Sequence, residues 1–507
     1  MNASSTQPQE SIVFYINGVR HQVGSAQAFL NLAEYLRVQL AQAGTKVVCA
    51  EGDCGACTVM VAHGNDPMPR FTTVNSCILP VFKLHGSSVV TIEGLADQAG
   101  KLNSVQQAMV DNHGAQCGYC TPGICMSMTL LAERAYANQQ KTVSEKQARN
   151  FLTGNLCRCT GYEPILKAAT ELEPQNHTSL SFRYLTPDIL KDLRGLLRRD
   201  VEILANDLAG SMKVTIPASL SSLAKILGSG RLISGATDLG VQRNKGRLAL
   251  SHFIALQNMA ELKSMQDLGE LLEIGSLATW CEVQDFLRHD FPEFSRSLDI
   301  FASPQIKHLG TWAGNIINAS PIADGVPFLL VNEAELVLVD SEMQKRTVSI
   351  LNFFKGYKQI DLKSNEMLFA VRLKKNKLKQ RVYKVSQRKD LDIATVNMAI
   401  AYELKGNCLS EIKIAVGGVA ATAIRLFEFE KYCIGKDPRR DLVAIKAKLG
   451  ELLNKDNTES LIRPLTDVRG SGEYRRLLVK NLIVKWLTEI SVEPPRDKSQ
   501  NLPENPL

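Results

Sequence analysis

Residues 49–61 read CAEGDCGACTVMV, and this stretch decides how the rest of the chain is understood. Cys49, Cys54 and Cys57 follow a C-x4-C-x2-C spacing, and Cys77 supplies a distant fourth thiol. That is the plant-type pattern for a [2Fe–2S] cluster. Wrapping three sulfurs around a compact anionic group brings backbone close to it, a place for Gly52 and Gly55, which tolerate positive φ. Structural zinc prefers paired knuckles two to four residues wide, and the four-then-two spacing suits it poorly.

Outward from this loop the chain reads as a compact α+β unit. SIVFYINGVRHQV (11–23) alternates apolar and polar residues around Asn17-Gly18, a two-residue hairpin signal. AQAFLNLAEYLRVQLA (26–41) has helical apolar spacing, and TVMVAH (58–63) and SSVVTIEGL (87–95) read as strands.

Of the twelve cysteines, only Cys281, Cys408 and Cys433 lie beyond residue 160. The second N-terminal group is Cys117-x2-Cys120 with Cys157-x-Cys159. By itself this pattern suits structural zinc as well as iron and sulfide. Each pair lies just ahead of a helical segment, TPGICMSMTLLAERAYA (121–137) with Pro122 at its first turn and Thr121 as expected cap, and YEPILKAATEL (162–172) with Pro164. Two positive helix ends could therefore face one anionic cluster. Cys125, inside the first helix, reads as a small buried side chain.

Two loops of small residues follow. LISGATDLG (232–240) comes after a short apolar strand, and LGTWAGNIINASPIADGVP (309–327) is rich in Asn, Ser and Gly. Backbone amides in such loops can approach a pyrophosphate, although each loop alone fits an ordinary turn better than a nucleotide site. Neither contains G-x-G-x-x-G, which argues against a Rossmann domain.

Length and composition set the frame. The chain has 507 residues, 45% hydrophobic content and a formal charge of +7. That length suggests three or four domains, and the interspersed charges lack the basic stripe of a nucleic-acid binder. The opening MNASSTQPQE has no apolar segment of the secretory type, and no apolar run approaches the ~20 residues of a membrane span. The expectation is a soluble, cytoplasmic protein in which clustered thiols bind metal.

Taken together, CAEGDCGACTV, NSC, QCGYCTPG and NLCRCTGYEPI resemble the two [2Fe–2S] domains of the molybdenum hydroxylases, the xanthine dehydrogenase and aldehyde oxidase family. The two later loops, with YKVSQRKD (383–390), resemble that family's FAD-binding region. The resemblance implies a multidomain α+β chain. Its parts would be a β-grasp ferredoxin-like domain (11–95), a helical-bundle [2Fe–2S] domain (96–175), a linker (176–210), a non-Rossmann α+β FAD-binding domain (211–380), a small C-terminal α+β domain (381–490) and a disordered tail (491–507).

It implies two [2Fe–2S] clusters, one on Cys49, Cys54, Cys57 and Cys77 and the other on Cys117, Cys120, Cys157 and Cys159. FAD would rest against Leu232, Ile233, Ser234, Gly235, Ala236, Thr237, Asp238 and Leu239. Thr311, Gly314, Asn315, Asn318, Ser320 and Asp324 would hold the rest of it, with Phe301 near the isoalloxazine and Lys384 close by. Two positions depart from the family pattern: Leu391 stands before Asp392 where paired acids are common, and Trp312-Ala313 replaces a small aliphatic residue and glycine.

The resemblance further implies that substrate oxidation, xanthine in the main reading, takes place at molybdopterin on a large partner subunit, in a heterotetramer of two small and two large chains. Electrons would pass through the helical domain's cluster, with Gln116 and Cys159 on the molybdenum side, then the ferredoxin-like cluster, then FAD, and finally NAD+. An aldehyde or N-heterocycle dehydrogenase subunit, or a freestanding NADH diaphorase, is the alternative. No side chain of this chain is assigned as a catalytic acid or base.

Overall fold

The computed structural model describes residues 7–492 apart from 208–209, 249–251, 455, 457–459 and 461, so most of the expected tail lies outside the described residues. Among the described residues no helix is long and apolar enough to cross a membrane.

The first domain is a five-stranded mixed sheet. Its order is Val19–Val23, Ile12–Ile16, Ser87–Val90, Thr58–His63 and Thr72–Asn75, with the second and third strands parallel. The hairpin closes where expected, with Asn17 at φ +50° and Gly18 at +83°. The helix read over 26–41 is broken in two. A 3-10 turn spans Ser25–Phe29, and after an Asn31/Glu34 capping box the chain winds through Leu32–Glu34 and widens into a π turn at Tyr35–Gln39. Asn31 competes for backbone donors in mid-segment, so the apolar periodicity survives while the helix does not run through.

The second domain packs four helices, Ser104–Asp111, Thr121–Ala137, Glu145–Leu152 and Glu163–Thr170. The long one spans the expected residues, but Cys120 occupies its cap position and Thr121 is its first helical residue, with a buried hydroxyl that finds no partner. The Cys120 thiol, an expected cluster ligand, therefore sits at the uncapped, positive end of this helix.

The described residues of 176–210, expected as a linker, include a strap over the first domain. Ser181–Tyr184 and Pro187–Leu196 are helical, and Val201–Asp207 is a strand. The Tyr184 hydroxyl donates to Gly94 O at 2.8 Å, the Tyr15 hydroxyl donates to Asp192 at 2.9 Å, and Leu193 is fully buried. Thr186-Pro187 followed by leucines at helical spacing is the local signal for the second of these helices.

The strand Val201–Asp207 starts a four-stranded sheet, continued by Gly210–Ile216, His252–Ala255 and Arg231–Ile233. Its apolar face joins the first domain's core: Val201, Ile203, Val214 and Phe253 share one cluster with Phe14, Val59 and Val89. An antiparallel five-stranded sheet follows, in the order Met265–Asp267, Leu271–Gly275, Glu366–Lys374, Glu335–Asp340 and Lys345–Ser349. Beyond it the strands Lys379–Val385, Val396–Lys405, Cys408–Gly417 and Ile424–Arg425 pack against helices that include Gly472–Val492. This is the multidomain α+β architecture the sequence led us to expect.

Candidate functional site

The fold brings the first four thiols into contact. Cys49 accepts from Cys54 and Cys77, and Cys77 also shares a proton with Cys57. Proton sharing with Cys54 and Cys77 holds Cys49 far below an ordinary thiol, and the same bonds push Cys54 and Cys77 up. The Cys49 sulfur also accepts the amides of Glu51 and Cys54, both at 3.4 Å. Gly52 and Gly55 take φ +75° and +70°, as this loop demands.

In the helical domain the sulfurs of Cys117 and Cys159 lie 3.5 Å apart, and Cys120 pairs with Cys157. Burial, then the neighbouring Cys157, pushes Cys120 up to about 12. Burial opposes ionisation of Cys157 too, yet hydrogen bonds from the Thr160 hydroxyl and amide outweigh it. Among the described residues no three His, Cys, Asp or Glu side chains converge on a single-ion geometry. The first set instead links its sulfurs in a series, Cys54, Cys49, Cys77 and Cys57, and the second groups them in two pairs. Four thiols without a histidine or carboxylate are a donor set that fits a two-iron cluster. Cys125 stands apart, 3% exposed, as a core residue.

The two sets meet. Leu156, next to Cys157, donates its amide to Cys54 O at 2.9 Å, and Asn155 Nδ2 donates to Gly55 O at 3.0 Å. A β-carbon on Gly123 would lie 2.2 Å from Gly55 O, so the contact depends on small residues on both sides.

The two small-residue loops are also adjacent. The Ser234 and Thr311 hydroxyls are 2.9 Å apart, and a β-carbon on Gly235 would lie 2.2 Å from Leu309 O. Ala236 adopts φ +61° ahead of the helix Thr237–Asn244, whose first turn has no side-chain cap. Thr311 caps Trp312–Ile317 by accepting from the Gly314 amide at 3.1 Å. Asn315 Oδ1 is buried without a partner in the protein. An uncapped helix end, a backbone left open and an orphaned amide oxygen fit a phosphate-bearing ligand.

Lys384 Nζ donates to Asp324 at 3.1 Å and lies 5.6 Å from the centre of the Phe301 ring, which in turn packs on Trp280 at 4.6 Å. Burial pushes the Asp324 carboxyl up, and Lys384 pulls it partly back. Other expected residues are less available. The Ile233 side chain is core, with Leu239 packed against that core and Leu232 against a neighbouring cluster. Asn318 accepts from Lys358 at 2.9 Å, and Ser320 accepts from the Ile322 amide at 3.4 Å. Trp312, 1% exposed, stacks with Phe294 as an ordinary core tryptophan. Leu391 holds φ +63° while Asp392 caps the Arg388 amide at 2.9 Å. Beside this loop is a cleft of about 410 Å³ lined by Ser386, Gln387, Thr395, Asp467, Arg469 and Tyr474.

Several residues that connect these places were not singled out in the sequence. Asn244, at the end of the helix Thr237–Asn244, donates to both Ala50 O and Cys77 O at 2.8 Å. Lys245 pairs with Glu51 at 2.9 Å and Arg388 with Asp53 at 3.6 Å. The loops around Ser234 and Thr311 are thus tied to the Cys49–Cys77 loop, and that loop to Cys157. Only Asn155, two residues before Cys157, carries any local hint of such a role.

Comparison with known proteins matches three stretches of the chain to family models. Residues 91–170 match a "[2Fe-2S] binding domain", residues 210–374 an "FAD binding domain in molybdopterin dehydrogenase", and residues 381–490 a "CO dehydrogenase flavoprotein C-terminal domain". The chain is 31% identical to xanthine dehydrogenase of Drosophila subobscura, in an alignment covering 95% of this chain and 39% of that one. It is 29% identical to xanthine dehydrogenase 1 of Arabidopsis thaliana, over 94% of this chain and 40% of that one. It therefore spans about two fifths of the length of these relatives. A solved carbon monoxide dehydrogenase chain from Hydrogenophaga pseudoflava shares the fold over 54% of this chain and 94% of its own, with a TM-score of 0.50 at 22% identity. With its [2Fe–2S] and FAD domains and this extended likeness, the chain belongs to the molybdenum hydroxylase family, as a xanthine dehydrogenase-like iron–sulfur and flavin region.

Proposed function

We propose that this chain is the electron-transfer subunit of a xanthine dehydrogenase. It carries electrons from a molybdopterin centre on a large partner subunit to NAD+ while hypoxanthine or xanthine is oxidised. In this reading Cys117, Cys120, Cys157 and Cys159 hold one [2Fe–2S] cluster and Cys49, Cys54, Cys57 and Cys77 the other. The 234–238 and 311–324 loops, Phe301 and Lys384 hold FAD. When bound, the clusters supply one-electron steps and FAD links them to two-electron hydride exchange.

The observation that carries this reading is the order of contacts. The Cys157 segment touches the Cys54 loop through Leu156, and the Cys49–Cys77 loop touches the flavin-side helix through Asn244. The chain's own work is to fix those spacings, exclude water and bias potentials through hydrogen bonds to sulfur.

The outer end of this series faces solvent. Cys117 and Cys159 are exposed, and Tyr119 and Leu156, close to them along the chain, are 46% and 44% exposed. A patch of exposed apolar groups beside cluster thiols supports docking of the large subunit here, in a complex of two small and two large chains.

The test is the visible spectrum of anaerobically purified protein before and after NADH, with metal and flavin quantified. About four irons and one FAD per chain, bleached by NADH, is the expected result for two [2Fe–2S] clusters. A colourless zinc-containing sample would overturn the reading, and flavin without iron would leave only a diaphorase.

A further inference from the structure

Gln305 comes from the short helix Pro304–Lys307 in the flavin-side half of the chain, and its side chain ends between the two cysteine-bearing domains. Its Nε2 lies 3.1 Å from Thr58 Oγ1, 3.2 Å from Ser127 Oγ and 3.0 Å from Asn155 Oδ1. Each partner is close in sequence or structure to a cluster thiol. Thr58 follows Cys57, Asn155 precedes Cys157 by two residues, and Ser127 lies on the helix that Cys120 caps. Ser127 in turn donates to Asn155 Oδ1 at 2.6 Å, which aims Asn155 Nδ2 at Gly55 O. A β-carbon on Gly154 would lie 2.1 Å from Gln305 Oε1, so the chain keeps glycine where this amide enters.

The arrangement is costly. Gln305 is 0% exposed, two hydrogens on Nε2 face three acceptors, and Oε1 has no donor. A buried amide with an unpaired oxygen destabilises a core that methionine or leucine would fill without penalty. What the amide supplies instead is a fixed orientation of three groups at once.

We infer that Gln305 is a positioning residue for the contact between the two cluster loops: by orienting Asn155 and Thr58 it holds the Leu156 amide on Cys54 O, so the flavin-side domain sets the electronic coupling between the clusters. The inference rests on the two-cluster reading above. It gives the Pro304–Lys307 helix a role separate from contact with the flavin.

The test compares wild-type protein with Gln305→Met, using three measurements: iron and FAD content, the spin–spin splitting and midpoint potentials of the two reduced clusters, and hydrogen exchange at the Leu156 amide. The expected result is wild-type cofactor content with weakened splitting, a moved midpoint for the cluster nearest Cys54 and faster exchange at Leu156. Lys263→Ala removes a 2.6 Å ion pair to Asp66 that also joins the first and flavin-side domains, and should change none of these. Unchanged splitting, midpoints and exchange in Gln305→Met with full iron would overturn the inference. Should that variant lose iron, Ser127→Ala decides by the same readings. Should wild-type protein lack two clusters, the two-cluster reading fails, and exchange at Leu156 still decides whether Gln305 holds the contact.

Discussion

The amide of Leu156 and the carbonyl of Cys54, 2.9 Å apart, form a direct backbone hydrogen bond between the two cysteine-bearing loops. It exists because Gly55, Gly123 and Gly154 let three backbone segments approach where any side chain would collide.

Gly55→Ala should break that approach. Its β-carbon would sit 2.1 Å from Gly154 O, in a residue already at φ +70°. The left-handed conformation costs an alanine ~1–2 kcal/mol, and the backbone collision should bring the loss to about 3 kcal/mol or more. Gly100→Ala, at φ +80° with nothing within 4 Å, isolates the conformational term. Thermal unfolding and iron content of the two variants check this: Gly55→Ala should lose both stability and iron, Gly100→Ala only a little stability.

Asn244→Ala removes two hydrogen bonds from the flavin-side helix to Ala50 O and Cys77 O. The expected stability cost is ~1–2 kcal/mol. In stopped-flow mixing with NADH, flavin reduction should proceed as in wild type, while bleaching of the iron–sulfur absorption lags behind it. Equal lags in both proteins would refute a connecting role for Asn244.

Stability should fall in mild acid because several histidines are buried neutral, His85 and His308 among them. Burial pushes His85 down to about 4 and His308 to about 3, from an ordinary 6.5. Both are depressed in the folded state, so the unfolded chain takes up protons first as pH drops. The stability they contribute is complete above 6.5 and is lost progressively down to about 4 and about 3. His308 Nδ1 lies 3.1 Å from Thr73 O across the boundary between the flavin-side and first domains. His308→Leu should remove about one proton's share of the slope, ~1.4 kcal/mol per pH unit. Melting temperatures between pH 7.5 and 4.5 measure it.

Leu156→Glu places a charge on the exposed patch beside Cys157 without touching the core. Iron content, melting temperature and NADH–dye activity should stay at wild-type values. Affinity for the large subunit should drop about tenfold or more, equivalent to ~1.4 kcal/mol. Sedimentation of the mixed subunits reads it directly.

Much of the fold was legible because local chemistry determined it. The Asn17-Gly18 turn, the helix Thr121–Ala137 and the cysteine spacings each carry their signal within a few residues. The cap at Cys120 rather than Thr121 was missed because the thiol offers no side-chain cap that propensity would recognise. The stretch from 176 reads as a linker because its polar opening outweighs Thr186-Pro187 and the leucines behind it. Gln305, Asn155 and Asn244 were illegible for another reason. Their partners lie up to 247 residues away, and an amide that joins domains looks in sequence like any surface amide.

The shared core of the first domain and the Val201–Asp207 sheet also bears on how the protein is made. Ile12, Phe14 and Val89 lie against Ile203, Val214 and Phe253, so the N-terminal unit has no finished interior until synthesis has passed residue 253. Domains generally fold as units while the chain emerges from the ribosome. Here the sheet that completes the interior is encoded by Val201–Asp207 and the strands after it, beyond both groups of N-terminal cysteines. The Cys49–Cys77 loop would acquire its final setting after the helical domain that follows it, reversing the order in which the two are translated.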